Sequence, residues 1–115
     1  MSAHDVVECT ISELHAAWKR GDFILDVREP DEYAEGHVPS AILIPLGEVA
    51  SRVDEVPTDR PIYVICRSGR RSMTGARALA AAGRQAISVS GGTLGWISAG
   101  LPVSARLHGA GSGSR

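Results

Sequence analysis

The chain has 115 residues, with 12 lysines and arginines against 13 aspartates and glutamates, a formal charge of -1 at pH 7. That length holds one hydrophobic core and not two, and the near-neutral balance excludes a global attraction to nucleic acid or membrane. No apolar run reaches bilayer length and the first residues lack the basic and apolar segments of a secretory signal, so a soluble cytoplasmic protein, monomeric or weakly dimeric, is expected.

Residues 6–9 read as a short strand, and Thr10 with Glu13 forms a capping box that starts a helix through Arg20, ended by Gly21. Residues 23–27 are an apolar run of strand length interrupted by Asp26, the pattern of a strand buried on both faces of a parallel sheet. Pro30 stands at the first position of a helix reaching Glu35, and Gly36 stops it. Residues 41–44 are expected as the third strand and residues 46–53 as a short helix. After the turn-rich 56–61, Ile62-Tyr63-Val64-Ile65 is the most β-prone stretch and the expected central strand. The alanine-rich 72–82 predicts a helix with a thin side-chain layer, with Ser72 as its cap. A strand at 86–89 and a helix at 93–99, stopped by Gly100 and Pro102, complete the series. Strands alternating with helices predict an α/β fold with a central, mostly parallel five-stranded sheet and helices on both faces. The domain is expected over 1–105, and the Gly/Ser-rich 106–115 as a flexible tail.

Directly behind the central strand stands Cys66-Arg67-Ser68-Gly69-Arg70-Arg71. A sulfur between a strand end and a helix start meets converging loop amides and a helix dipole, which pull a thiol below its ordinary pKa of about 8.5. Arg67, Arg70 and Arg71 are expected to push the same way. In a parallel α/β sheet, ligands bind beyond the carboxyl ends of the strands, where Cys66 lies.

Together with Leu25-Asp26-Val27-Arg28-Glu29-Pro30, Glu32-Tyr33, Gly36-His37-Val38-Pro39-Ser40-Ala41 and Gly91-Gly92-Thr93-Leu94-Gly95-Trp96, this loop gives the chain a close resemblance to the single-domain rhodaneses. The resemblance runs from the first strand to Pro102. It implies a sulfurtransferase in which the Cys66 thiolate takes the outer sulfur of a small anionic donor such as thiosulfate. A thiophilic acceptor, either cyanide, a thiol or a protein, then removes it. The loop amides from Arg67 through Arg71 are expected to form the anion cradle, with Gly69 at positive φ. Arg67 and Arg70 are expected at the mouth, whereas the resemblance gives Arg71 the part of a bracing ion pair. Ser68 and Ser72 offer hydroxyls to the sulfur, and Asp26 is expected to accept hydrogen bonds from Arg28, a loop arginine or backbone amides. Two-domain rhodaneses carry a substrate-contacting arginine near the position that Glu32 occupies here.

Bland roles are assigned elsewhere. His37 is expected to satisfy backbone groups, and Cys9 to be a non-catalytic strand residue. Trp96, Leu94 and Ile97 are read as the buried face of the last helix, although an apolar wall for an acceptor is the other reading. Gly91-Gly92 is read as letting the chain pass close to the loop. No cofactor is expected, and His4, His15 and His108 show no spacing with cysteine or carboxylate that suggests zinc. Two alternatives remain beside the enzyme: a rhodanese-like persulfide carrier or binding module, and a cysteine phosphatase or arsenate reductase. The last would need one more residue between nucleophile and arginine than the four separating Cys66 from Arg71.

Overall fold

In a computed structural model, which describes residues 6–105, strands and helices alternate from one end to the other. They are β1 (Val7–Cys9), α1 (Ile11–Arg20), β2 (Phe23–Asp26), α2 (Pro30–Glu35), β3 (Ile42–Leu43), β4 (Pro61–Ile65), α3 (Arg70–Ala81), β5 (Gln85–Val89) and α4 (Gly92–Ser98). The sheet order is β1-β5-β4-β2-β3, and every pairing is parallel. The expected tail at 106–115 lies outside the described residues.

Side-chain alternation along β4 splits the interior into two layers. Ile62, Val64 and Cys66 face one layer with Ala76 and Leu79 of α3, while Ile65 joins Leu14 of α1 and Trp96 of α4 in the other. Cys66 thus inherits its direction from the strand: two steps beyond Val64, it points to the α3 side. Cys9 belongs to the opposite layer, and both cysteines are free. β2 and β4 are neighbours, yet the chain leaves β2 for one edge of the sheet and β4 for the other. Their carboxyl ends therefore form the switch point at which such sheets open a crevice.

Local sequence explains most element ends. The Thr10 amide donates to Glu13 Oε1 at 2.8 Å and the Glu13 amide to Thr10 Oγ1 at 3.1 Å, so the capping box is complete. Gly21 closes α1 in the left-handed region. Two expectations fail. Residues 46–53 form no α-helix; Leu46–Glu48 and Val53–Glu55 are separate 3-10 turns. Gly47 and the β-branched Val49 and Val53 weaken helix propagation, and burial of Val49 and Val56 pins the segment to the core instead. The second failure, the start of α3, bears on the site.

Candidate active site

α3 begins at Arg70, two residues before the expected start, with Gly69 as its N-cap at φ 118. Ser72 is consequently not the cap but the third residue of the helix, and it is fully buried. The first turn of any helix leaves amides unpartnered, and here a sulfur lies beside them. The Gly69 amide donates to Cys66 Sγ at 3.1 Å. Burial acts to raise the pKa of Cys66, but the Ser72 hydroxyl and the amides of Ser72, Gly69 and Ser68 outweigh it, and the net shift is downward. The downward pull comes chiefly from hydrogen bonds rather than from the guanidinium cluster that the sequence emphasised. Cys9 shows the contrast: without such donors, burial, aided by Glu13, pushes its thiol up to about 11.

The loop's carbonyls must face away for its amides to face in, and α4 holds them there. The Thr93 amide and hydroxyl both donate to the Cys66 carbonyl, at 2.8 and 3.0 Å, and the Leu94 amide donates to the Arg67 carbonyl at 3.1 Å. Gly92 makes this approach possible. Its φ is 58°, and a Cβ there would lie 2.4 Å from the Arg67 oxygen.

Cys66 itself is 1% exposed, at the floor of the loop. Beside it lies a groove of about 310 Å³ lined by Arg28, Glu32, Glu35, Gly36, Arg67, Thr93, Leu94 and Ile97. Arg67 is an exposed guanidinium on this groove; Arg70 is also exposed but does not line it. Ser68 is exposed on the loop, and its amide helps to draw the Cys66 pKa down. Leu94 and Ile97 are 45% and 46% exposed, so only Trp96 belongs to the buried face that the sequence assigned to all three.

Arg71 turns from the sulfur's mouth to α2, donating to both carboxylate oxygens of Glu32 at 2.7 and 2.8 Å. Hydrogen bonding from Arg71 draws the Glu32 carboxyl down to about 2. Asp26 and Arg28, both buried, form a second ion pair at the end of β2. The Arg28 amide and Nε reach Asp26 Oδ1 at 3.0 Å, and Nη2 spans Asp26 Oδ2 and the Gly36 carbonyl, each at 2.8 Å. This network pins α2 to the sheet while leaving the Arg28 side chain on the groove wall. His37 places Nδ1 2.7 Å from the Tyr33 carbonyl oxygen and stacks on the Tyr33 ring. Among the described residues, no three of His, Cys, Asp and Glu gather where they could hold a metal.

The profile of the rhodanese-like domain family matches residues 10–99. The chain is 46% identical over 74 residues to YrkF of Bacillus subtilis, named as a candidate sulfur carrier protein; the match takes in 64% of this chain but 40% of that protein, so the chain spans under half its length. It is 35% identical over 81 residues to a sulfurtransferase of Allochromatium vinosum, covering 70% of this chain and 76% of that one. A rhodanese-related protein of Thermoplasma volcanium superposes with a TM-score of 0.80 at 32% identity, over 85% of this chain and 97% of the other. The chain belongs to the rhodanese-like family.

Proposed function

We propose that this protein moves a sulfane sulfur from a small anionic donor of the thiosulfate type to a thiophilic acceptor, through a persulfide on Cys66. The Cys66 thiolate attacks the donor's outer sulfur, a new S–S bond forms, the donor's own S–S bond breaks, and sulfite departs with its electron pair. The acceptor, either cyanide, a thiol or a protein thiol, then attacks the terminal sulfur and the Cys66 thiolate leaves. The sulfur is anionic before transfer and after loading, so one cradle of donors serves both halves. No cofactor is needed to balance either step. The observation that carries this reading is the Gly69 amide 3.1 Å from Cys66 Sγ, at a thiol whose pKa is drawn below its ordinary value.

In this reading Arg67 meets the sulfonate end of the donor, and Leu94 with Ile97 offers the acceptor an apolar wall. Arg70 adds positive charge outside the groove, while Ser68, Gly69 and Arg71 shape the cradle, and Asp26 and Arg28 support it from β2. Glu32 replaces a donor-binding cation with a carboxylate already claimed by Arg71, which favours a modest thiosulfate affinity. The same engagement disfavours phosphatase chemistry, for Arg71 is turned to Glu32 rather than to an oxyanion over Cys66. Among the described residues no helix is long and apolar enough to cross a membrane. Mixing the protein with thiosulfate and no acceptor should release one sulfite per chain, and Cys66→Ser should release none. Sulfite release that survives Cys66→Ser would remove the nucleophile from this scheme. Absence of release from the unaltered chain would leave the carrier reading, in which the persulfide arrives from a partner protein.

A further inference from the structure

Four charged side chains line the groove beside Cys66, Arg28, Glu32, Glu35 and Arg67, and two of them are already engaged. Arg28 is held by Asp26, and both carboxylate oxygens of Glu32 accept from Arg71. Among the described residues, Glu35 of α2 and Arg67 of the Cys66 loop make no ion pair, and both are exposed. Leu94 and Ile97 of α4 add exposed apolar surface to the same groove. Its volume of about 310 Å³ stands at the lower end of small-molecule pockets, which run from about 300 to 1,000 Å³. The occupant that complements it is therefore a small organic molecule with charges of both signs on a short apolar stem. We propose that the groove selects, as sulfur acceptor, a small thiol bearing an ammonium group, and that Glu35, an unpaired carboxylate sharing the groove with Arg67 and an apolar wall, is the residue that reads the ammonium.

The inference rests on the sulfur-transfer reading and names the acceptor of its second half. Once sulfite has departed, Arg67 is open to a second anion. An amino-acid thiol sets its carboxylate on Arg67, its ammonium on Glu35 and its methylene against Leu94 or Ile97. Its thiol gives a proton to solvent, and the thiolate attacks the terminal sulfur of the Cys66 persulfide. A new S–S bond forms, the bond between Cys66 and that sulfur breaks, and Cys66 leaves as thiolate with the electron pair. The Glu35 carboxylate repels an acceptor whose only charge is negative, so one residue supplies both the preference and the rejection. Glu32 does not share this part, because Arg71 already holds its carboxylate.

The test loads Cys66 from thiosulfate, removes excess donor and follows discharge of the persulfide by cysteamine, cysteine, 3-mercaptopropionate and 2-mercaptoethanol. Each thiol is its own control, compared between parent and variant. Glu35→Gln should slow cysteamine and cysteine about three- to fivefold, the size of an ion pair at an exposed site, and leave 2-mercaptoethanol unchanged. Glu35→Lys should go further and make 3-mercaptopropionate faster than in the parent, whereas Glu35→Asp, which keeps the charge, should retain the parent's ranking. Added salt should shrink the difference between parent and Glu35→Gln. Equal slowing of all four thiols overturns the proposal, as do rates that Glu35→Gln leaves unchanged. Failure of the sulfur-transfer reading would look different: no persulfide forms in the parent. The rate at which Cys66 reacts with cystamine, relative to 2-hydroxyethyl disulfide, then tests the groove alone. A ratio that falls severalfold in Glu35→Gln upholds the part given to Glu35, and an unchanged ratio ends it.

Discussion

At Gly92 a single methyl group would be enough to displace the Cys66 loop. Its Cβ would fall 2.4 Å from the Arg67 oxygen and 2.7 Å from the Cys66 oxygen, on a backbone whose φ of 58° already disfavours a side chain. Gly92→Ala should therefore destabilise the fold by about 2 kcal/mol or more, and should raise the pH midpoint for alkylation of Cys66 by misaligning the loop amides. Melting curves beside alkylation rates would check both, and a variant equal to the parent in each would refute the contact. In the unaltered chain the midpoint for Cys66 should lie below the ordinary thiol value of about 8.5, with reactivity lost as pH falls through the lowered pKa. Arg67→Ala should raise the donor KM severalfold with little change in kcat, as expected for a charge that binds ground and transition states alike; an unchanged KM would remove Arg67 from the mouth. Much at this scale was readable in advance. Cys66 follows from its place between a β-prone run and a helix, and the close passage at Gly91-Gly92 from the doubled glycine. Glu35 left no mark, standing as an ordinary acidic residue ahead of the helix stop at Gly36.

Helices α2 and α3 meet through a bidentate ion pair, Glu32 to Arg71, whose side chains are 25% and 34% exposed. Hydrogen bonding to Arg71 lowers the Glu32 carboxyl from its unfolded range near 4.3 to about 2. A carboxyl depressed in the folded state gives stability that is complete above the unfolded pKa and is lost as pH falls through the folded one. Stability should thus decline between about pH 4.5 and pH 2, and Glu32→Gln should flatten that part of the profile while costing about 1 kcal/mol at pH 7. Urea titrations across this range would show it; parallel pH profiles for parent and variant would contradict it. The resemblance implied that Arg71 braces through an ion pair, but its partner was not legible, since Glu32 and Arg71 are far apart in sequence and only the folded switch point brings them together. The start of α3 was misplaced for a related reason. A serine looks like a cap, but the helix has already begun at Arg70 behind Gly69, whose amide donates to the cysteine sulfur.

Over the whole molecule, a near-neutral chain concentrates its chemistry at one crevice, the carboxyl ends of β2 and β4. Alternation of strands and helices was enough to anticipate a mostly parallel five-stranded sheet with Cys66 at the carboxyl end of its strands, whereas the strand order that makes β2 and β4 the switch point was not legible. What the pattern left open was how the faces are shared: Leu94 and Ile97, apolar and on a helix, look like core until Trp96 fills the core alone. Their exposure next to Arg67 gives the groove one apolar wall and one charged edge. The most direct measurement is the mass of the Cys66 peptide after the folded protein has been treated with saturating thiosulfate. One added sulfur atom at Cys66, removed by cyanide, is the expected result. A Cys66 that remains unmodified in folded, reduced protein would contradict a sulfurtransferase built on this thiolate.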